Sequence, residues 1–222
     1  MNAGTLVLAA HRSQGIGAVL QQGLADKYSA ELMTGMQFAQ VRTNDDTDWS
    51  ACPQGWVDKF VRVHSPMAGW TGWQIKALPL PSPNSGEGPL HRARRALRAA
   101  FELNHEIEAL DKAATVLDDL IKNGEPVAKP FNVAGQERKP TAVSFGHVTA
   151  DGKPRLKTAF VYLNVKQTVK DFGLWVDKHT SFTMQCALLT AEWNRSYFQI
   201  FEDKINQYLV HKLDAALRSF PL

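Results

Sequence analysis

Thr141-Ala142-Val143-Ser144-Phe145-Gly146-His147-Val148, then Ala150-Asp151-Gly152-Lys153-Pro154, then Leu156-Lys157-Thr158-Ala159-Phe160-Val161-Tyr162-Leu163-Asn164-Val165 is the stretch whose reading decides the fold class. Its two arms are rich in β-branched and aromatic residues, which suit a pleated surface. The Asp-Gly pair between them favours a tight turn. The stretch reads as a β-hairpin. Downstream, Gln167 to Lys178 reads as a helix despite Gly173, and a long helix is expected from Met184 to Leu217. Phe198, Phe201, Ile205, Tyr208 and Leu213 give that helix an apolar stripe near helical spacing.

Upstream, Leu90 to Lys122 contains no proline or glycine and is built from good helix formers. Leu103, Leu110 and Leu117 recur every seven residues, with Ile107, Ala114 and Ile121 interleaved. Such a seam predicts lengthwise packing on another helix, in the same chain or in a partner. Asn123-Gly124-Glu125-Pro126 is a helix stop. The sharpest break is Pro79-Leu80-Pro81-Ser82-Pro83-Asn84-Ser85-Gly86-Glu87-Gly88-Pro89, which no helix or central strand tolerates.

The first eighty residues are harder to read. Thr5 to Ala10 suits a short strand and Ile16 to Lys27 a helix, while Val57, Phe60, Val61 and Val63 suit either. Trp49, Trp56, Trp70 and Trp73 crowd this part, as core or as a groove for a ligand or for bases, with core the stronger reading. The expected fold is α+β and helix-dominated, with long helices, a β-hairpin in the C-terminal half and a mixed, irregular N-terminal part. The expected divisions are a Trp-rich part over 1–80, a Pro/Gly linker over 81–89 and a helix–hairpin–helix–long-helix part over 90–222.

Composition narrows the class. With 44% hydrophobic and 21% charged residues in 222, the chain can bury a real core, so disordered and collagen-like classes are excluded. Only Cys52 and Cys186 are present, and no apolar run at the N-terminus is long enough for a leader or a membrane span. A reducing, cytoplasmic location is therefore expected. The seven histidines never fall at H-x-x-x-H spacing, so neither metal nor cofactor is expected. No catalytic residue is assigned, and the chain reads as more a binder than an enzyme.

Ala10-His11-Arg12-Ser13-Gln14-Gly15-Ile16-Gly17 resembles the glycine-rich turn of short-chain dehydrogenases. Asn132-Val133-Ala134-Gly135 and the Tyr162–Lys166 spacing echo two more of that family's motifs. The resemblance implies a nicotinamide-dependent oxidoreductase, and three features oppose it. His11 occupies the place of the first glycine, where a side chain crowds the turn that approaches the pyrophosphate. Tyr162 and Lys166 fall on a strand, where an i, i+4 pair lies far apart. The chain also lacks the alternation of strands and helices that a doubly wound sheet needs. The oxidoreductase is retained only as a third, unlikely reading.

Charge placement carries the first functional reading. Arg92, Arg94, Arg95 and Arg98 open the predicted helix, with His91, Arg94, Arg95 and Arg98 on one face. Guanidinium groups in such a row suit phosphate, or they pair with the fold's own acids. A second basic region holds Arg155, Lys157 and Lys166, with Tyr162 and Asn164 as candidate base contacts. The order strand, helix, longer helix is similar to that of ribbon-helix-helix DNA-binding proteins, although the last helix is too long for them. The expected function is non-enzymatic nucleic-acid binding, DNA or RNA, by a regulator or a subunit of a nucleoprotein complex. The alternative is a protein-interaction or scaffold module that docks a partner helix or a second copy through the 103–121 seam, with no membrane involved.

Overall fold

The computed structural model describes residues 4–11, 14–48, 51–77, 95, 98–99, 101, 104–131, 141–165, 182–212 and 215–221. Its frame is a seven-stranded mixed sheet. The strands are β1 (Thr5–His11), β2 (Gln14–Leu20), β3 (Trp70–Ala77), β4 (Thr141–Asp151), β5 (Lys153–Val165), β6 (Phe182–Trp193) and β7 (Ala215–Pro221). Their order is β3-β6-β5-β4-β2-β1-β7, with β2 and β4 parallel and every other neighbouring pair antiparallel. Strands from before and after residues 81–89 thus share one sheet.

This sheet corrects the helix-dominated expectation. The run predicted as one helix over 184–217 is β6, then helix α5 (Arg195–Val210), then β7. An apolar run between β5 and β3 has neighbours on both sides to pair with, and pairing overrides helix propensity. Asn194 marks the true helix start: its side chain accepts from the Tyr197 N–H at 3.3 Å. The N-terminal part is not irregular, since β1 and β2 form an antiparallel hairpin ahead of α1 (Gln22–Asp46). The predicted helix over 16–27 therefore begins as strand. Residues 60–64 form a π-helical turn between α2 (Pro53–Lys59) and the short α3 (Ser65–Met67). The predicted helix over 167–178 lies outside the described residues.

Alternation in β1 shows that the sheet is covered on both faces. Val7 and Ala9 join the core formed by α1, α2, the π-turn and α5. Leu6, Leu8 and Ala10 join the opposite core, formed by α4 (Asn104–Lys122) and a 3-10 turn over Pro126–Phe131. Of the heptad seam, Leu110 and Leu117 pack on β1, β2 and the 3-10 turn, not on another helix, and Leu103 lies outside the described residues. A flat sheet face accepts the same apolar stripe that a partner helix would. The run 90–122 is not one helix either. Phe101, 3% exposed, stands outside helical geometry between helical Ala99 and α4.

Gly15 and Gly17 lie inside β2, not in a loop that opens a helix. A Cβ on Gly15 would stand 2.5 Å from the ring of Phe131, and one on Gly17 would stand 2.7 Å from Phe145. The two glycines are slots for aromatic rings of the second core, which explains the glycine spacing without a cofactor.

Candidate functional site

The predicted basic residues are placed first. Arg98, Arg155 and Lys157 are each met by a carboxylate: Arg98 by Asp111 at 3.2 Å, Arg155 by Glu192 at 3.3 Å and Lys157 by Glu106 at 3.9 Å. The Lys157 ammonium also stands 4.8 Å from the centre of the Phe101 ring. Arg95 is helical and has a partner of its own. Arg92, Arg94 and Lys166 lie outside the described residues. Tyr162 and Asn164 sit on β5, with Tyr162 in register with Ala142 and Gln185 and Asn164 with Thr183. Their side chains are outside the described ones. The β4–β5 hairpin is flanked by β2 and β6, so it is an interior pair and not a free two-stranded ribbon.

A different constellation is buried under α1. Gly15, Ile16, Met36, Gln40, Trp56, Val57, Phe60, Ser144, Thr158, Phe160 and Leu189 enclose a cavity of about 10 Å³, room for about one water molecule. Residues of β2, β4, β5 and β6 form its floor, and α1, α2 and the π-turn form its roof. Thr158, on the floor, is 3% exposed.

The roof is held firmly. Trp56 stacks on Phe60 with centroids 5.1 Å apart and on Phe160 at 5.5 Å, both nearly parallel. Its Nε1–H donates to Asn44 Oδ1 at 2.7 Å. Lys59 Nζ donates to the Asp46 carbonyl at 3.1 Å, and His64 Nε2 stands 3.0 Å from Asp46 Oδ2. Burial pushes the His64 imidazole below its ordinary pKa, against the opposing pull of Asp46. These contacts fasten α2 and the π-turn to the C-terminal end of α1. The same helix end reaches α5, where Asp45 accepts from Tyr208 and Lys212.

Inside this rigid enclosure three polar atoms are orphaned. Gln40 is 0% exposed, and neither its Oε1 nor its Nε2 has a hydrogen-bond partner; the Thr158 hydroxyl has none either. Buried polar groups are paired in the great majority of native structures. Each one left unpaired costs about 1–3 kcal/mol, against a total stability of about 5–15 kcal/mol for a typical domain. Among the described residues no ionisable side chain lines the cavity. The described wall is thus largely apolar and aromatic, and its polar side chains are the Gln40 amide and the Thr158 and Ser144 hydroxyls. Among the described residues no group of three His, Cys, Asp or Glu is placed to hold a metal ion. No described helix is long and apolar enough to cross a membrane.

No family model matches the sequence, and no curated protein matches it. Among solved structures, a neighbour titled "Structure of the Evf virulence factor" aligns over 89% of this chain and 78% of its own, at 11% identity and a TM-score of 0.36.

Proposed function

We propose that the chain is a binding protein whose ligand occupies the cavity between α1, α2 and the sheet. The observation that carries this reading is Gln40, wholly buried with both amide atoms unpaired on the wall of a largely apolar enclosure. Ligand sites are mostly apolar with a few convergent polar groups; here the wall must open for any guest larger than one water, because the cavity is about 10 Å³. The ligand is small, since the closed cavity is small. Met36, flexible and unbranched, is the wall residue best able to yield to a guest larger than water.

The test is a titration of the labelled protein with a library of small uncharged and charged molecules, followed by ¹H–¹⁵N and methyl NMR. Binders are expected to shift the Gln40 side-chain amide, the Trp56 indole N–H and the Met36 methyl together. Binders that shift only surface resonances, or the lack of any binder, would contradict the reading.

The basic segments support a second reading, nucleic-acid binding. Arg98 and Arg155 are each 61% exposed, and ion pairs so open to water are worth only about 0–1 kcal/mol, so a phosphate can compete for them. Anisotropy with labelled duplex DNA, single-stranded DNA and RNA across a salt series decides it. Binding that weakens steeply with salt supports this reading; none at low salt contradicts it.

A further inference from the structure

Resting on the cavity reading above, we infer that the roof formed by α2 and the π-turn is a lid that acid loosens, with His64 as its proton sensor. A guest larger than one water needs the wall to open, and this part of the wall ends in a titratable fastening. Three polar contacts of the roof converge on the last turn of α1. Trp56 Nε1–H donates to Asn44, Lys59 Nζ donates to the Asp46 carbonyl, and His64 stands beside the Asp46 carboxylate. Of the three, only the histidine changes charge near neutral pH. Ser65 donates both its N–H and its hydroxyl to the Phe60 carbonyl, so the backbone that carries His64 is tied to a residue of the cavity wall. Single π-turns within helices are frequent at functional sites.

The surroundings of His64 set the sign. The residue is 4% exposed. Its Nε2 stands 3.0 Å from Asp46 Oδ2 but out of line for a hydrogen bond, and Nδ1 meets no partner. Charging the ring makes donors of both nitrogens and leaves the proton on Nδ1 buried without an acceptor. The groups that face the ring are Asp46 and Arg42 from α1 and Lys59 from α2. Asp46 favours the imidazolium, but its Oδ1 already meets Arg42 at 3.5 Å, and both cations oppose a further positive charge. Helix α3 carries no titratable side chain, while Lys76 of β3 and Arg62 of the π-turn are exposed. Burial and two like charges thus outweigh one carboxylate, and protonation favours the arrangement in which the ring reaches water. The closed roof holds its full advantage above the ordinary histidine range and loses it as pH falls through that range.

Native-state hydrogen exchange of the full chain, followed by NMR, tests the lid. Each rate is divided by the intrinsic exchange rate at the same pH, so that it reports opening. From about pH 7.5 to about pH 5.5, across the ordinary histidine range, the Trp56 indole N–H and the backbone amides of residues 56–64 are expected to open severalfold more often. The amides of β4 and β5 are expected to change less. His64→Gln, which cannot take the proton, is expected to flatten the response of the roof. Asp46→Asn removes the one group that favours the charged ring and is expected to enlarge it. A roof that opens equally at both pH values, or an equal rise throughout β4 and β5, would overturn the lid. So would a response that survives His64→Gln or that Asp46→Asn diminishes. The lid and the cavity fail separately. Opening that tracks His64, while no molecule enters the cavity, leaves the lid standing and counts against the cavity reading. Binders that shift Gln40, Trp56 and Met36 under a roof that ignores pH overturn the lid and leave the cavity reading in place.

Discussion

Trp56→Ala is expected to lower the unfolding free energy by about 3–5 kcal/mol, the range for emptying a buried Trp site. Trp56 is 2% exposed, stacks on Phe60 and Phe160, and donates to Asn44. Its loss removes two aromatic contacts and leaves a hole in the cavity roof, which the fixed sheet below cannot collapse to fill. Trp56→Phe keeps a ring for the stack and loses the indole donor, so a smaller cost of about 1–2 kcal/mol is expected. Chemical denaturation of the three proteins measures both. A cost below about 1 kcal/mol for the alanine variant would mean that α2 and the π-turn are not packed on the sheet as described.

The second large effect has the opposite sign. Gln40→Met keeps the length and volume of the side chain and removes the amide. The folded protein then no longer holds two unpaired polar atoms in an apolar wall, so its stability should rise by about 1–3 kcal/mol. Most core substitutions destabilise, which makes a gain diagnostic. A loss of more than about 1 kcal/mol would show that the amide is well bonded within the protein. Gains of this kind are commonly matched by lost function where the replaced group serves a site. Here the matching loss is of ligand binding in the cavity.

How these sites were hidden in the sequence follows from particular residues. The β4–β5 arms could be read from their composition and from Asp151-Gly152, because both signals are local. Gly124 shows its role equally openly: its φ of +73° and the Glu125 N–H to Leu120 carbonyl bond close the end of α4. Helix α1 was missed beyond its first turns because it is buried on most sides. Leu32, Met33, Met36, Ala39 and Val41 are interleaved with buried Gln37, Gln40, Thr43 and Asn44, so no single apolar stripe emerges. Met184 to Trp193 reads as helix by propensity and is strand by pairing, which only the neighbours β3 and β5 decide.

Charge was legible only in part. The arginines and lysines could be counted, but Asp111, Glu106 and Glu192, which face three of them, come from other elements. The cavity had no local signature at all. Gln40, Trp56, Ser144 and Thr158 are far apart in the chain and meet only when α1 crosses β4 and β5. The one hint was the concentration of tryptophan before residue 80. It divides between core and site: Trp70 is 0% exposed and bonds the Leu32 carbonyl at 3.3 Å, while Trp56 serves as core and cavity wall together.

The measurement that bears most directly on this account is the ¹H–¹⁵N spectrum of the Gln40 side-chain amide while small uncharged molecules are added to the intact chain. The account predicts saturable shifts of that amide, moving in step with the Trp56 indole N–H. An amide signal that stays fixed throughout, while the molecules bind elsewhere or not at all, would contradict it.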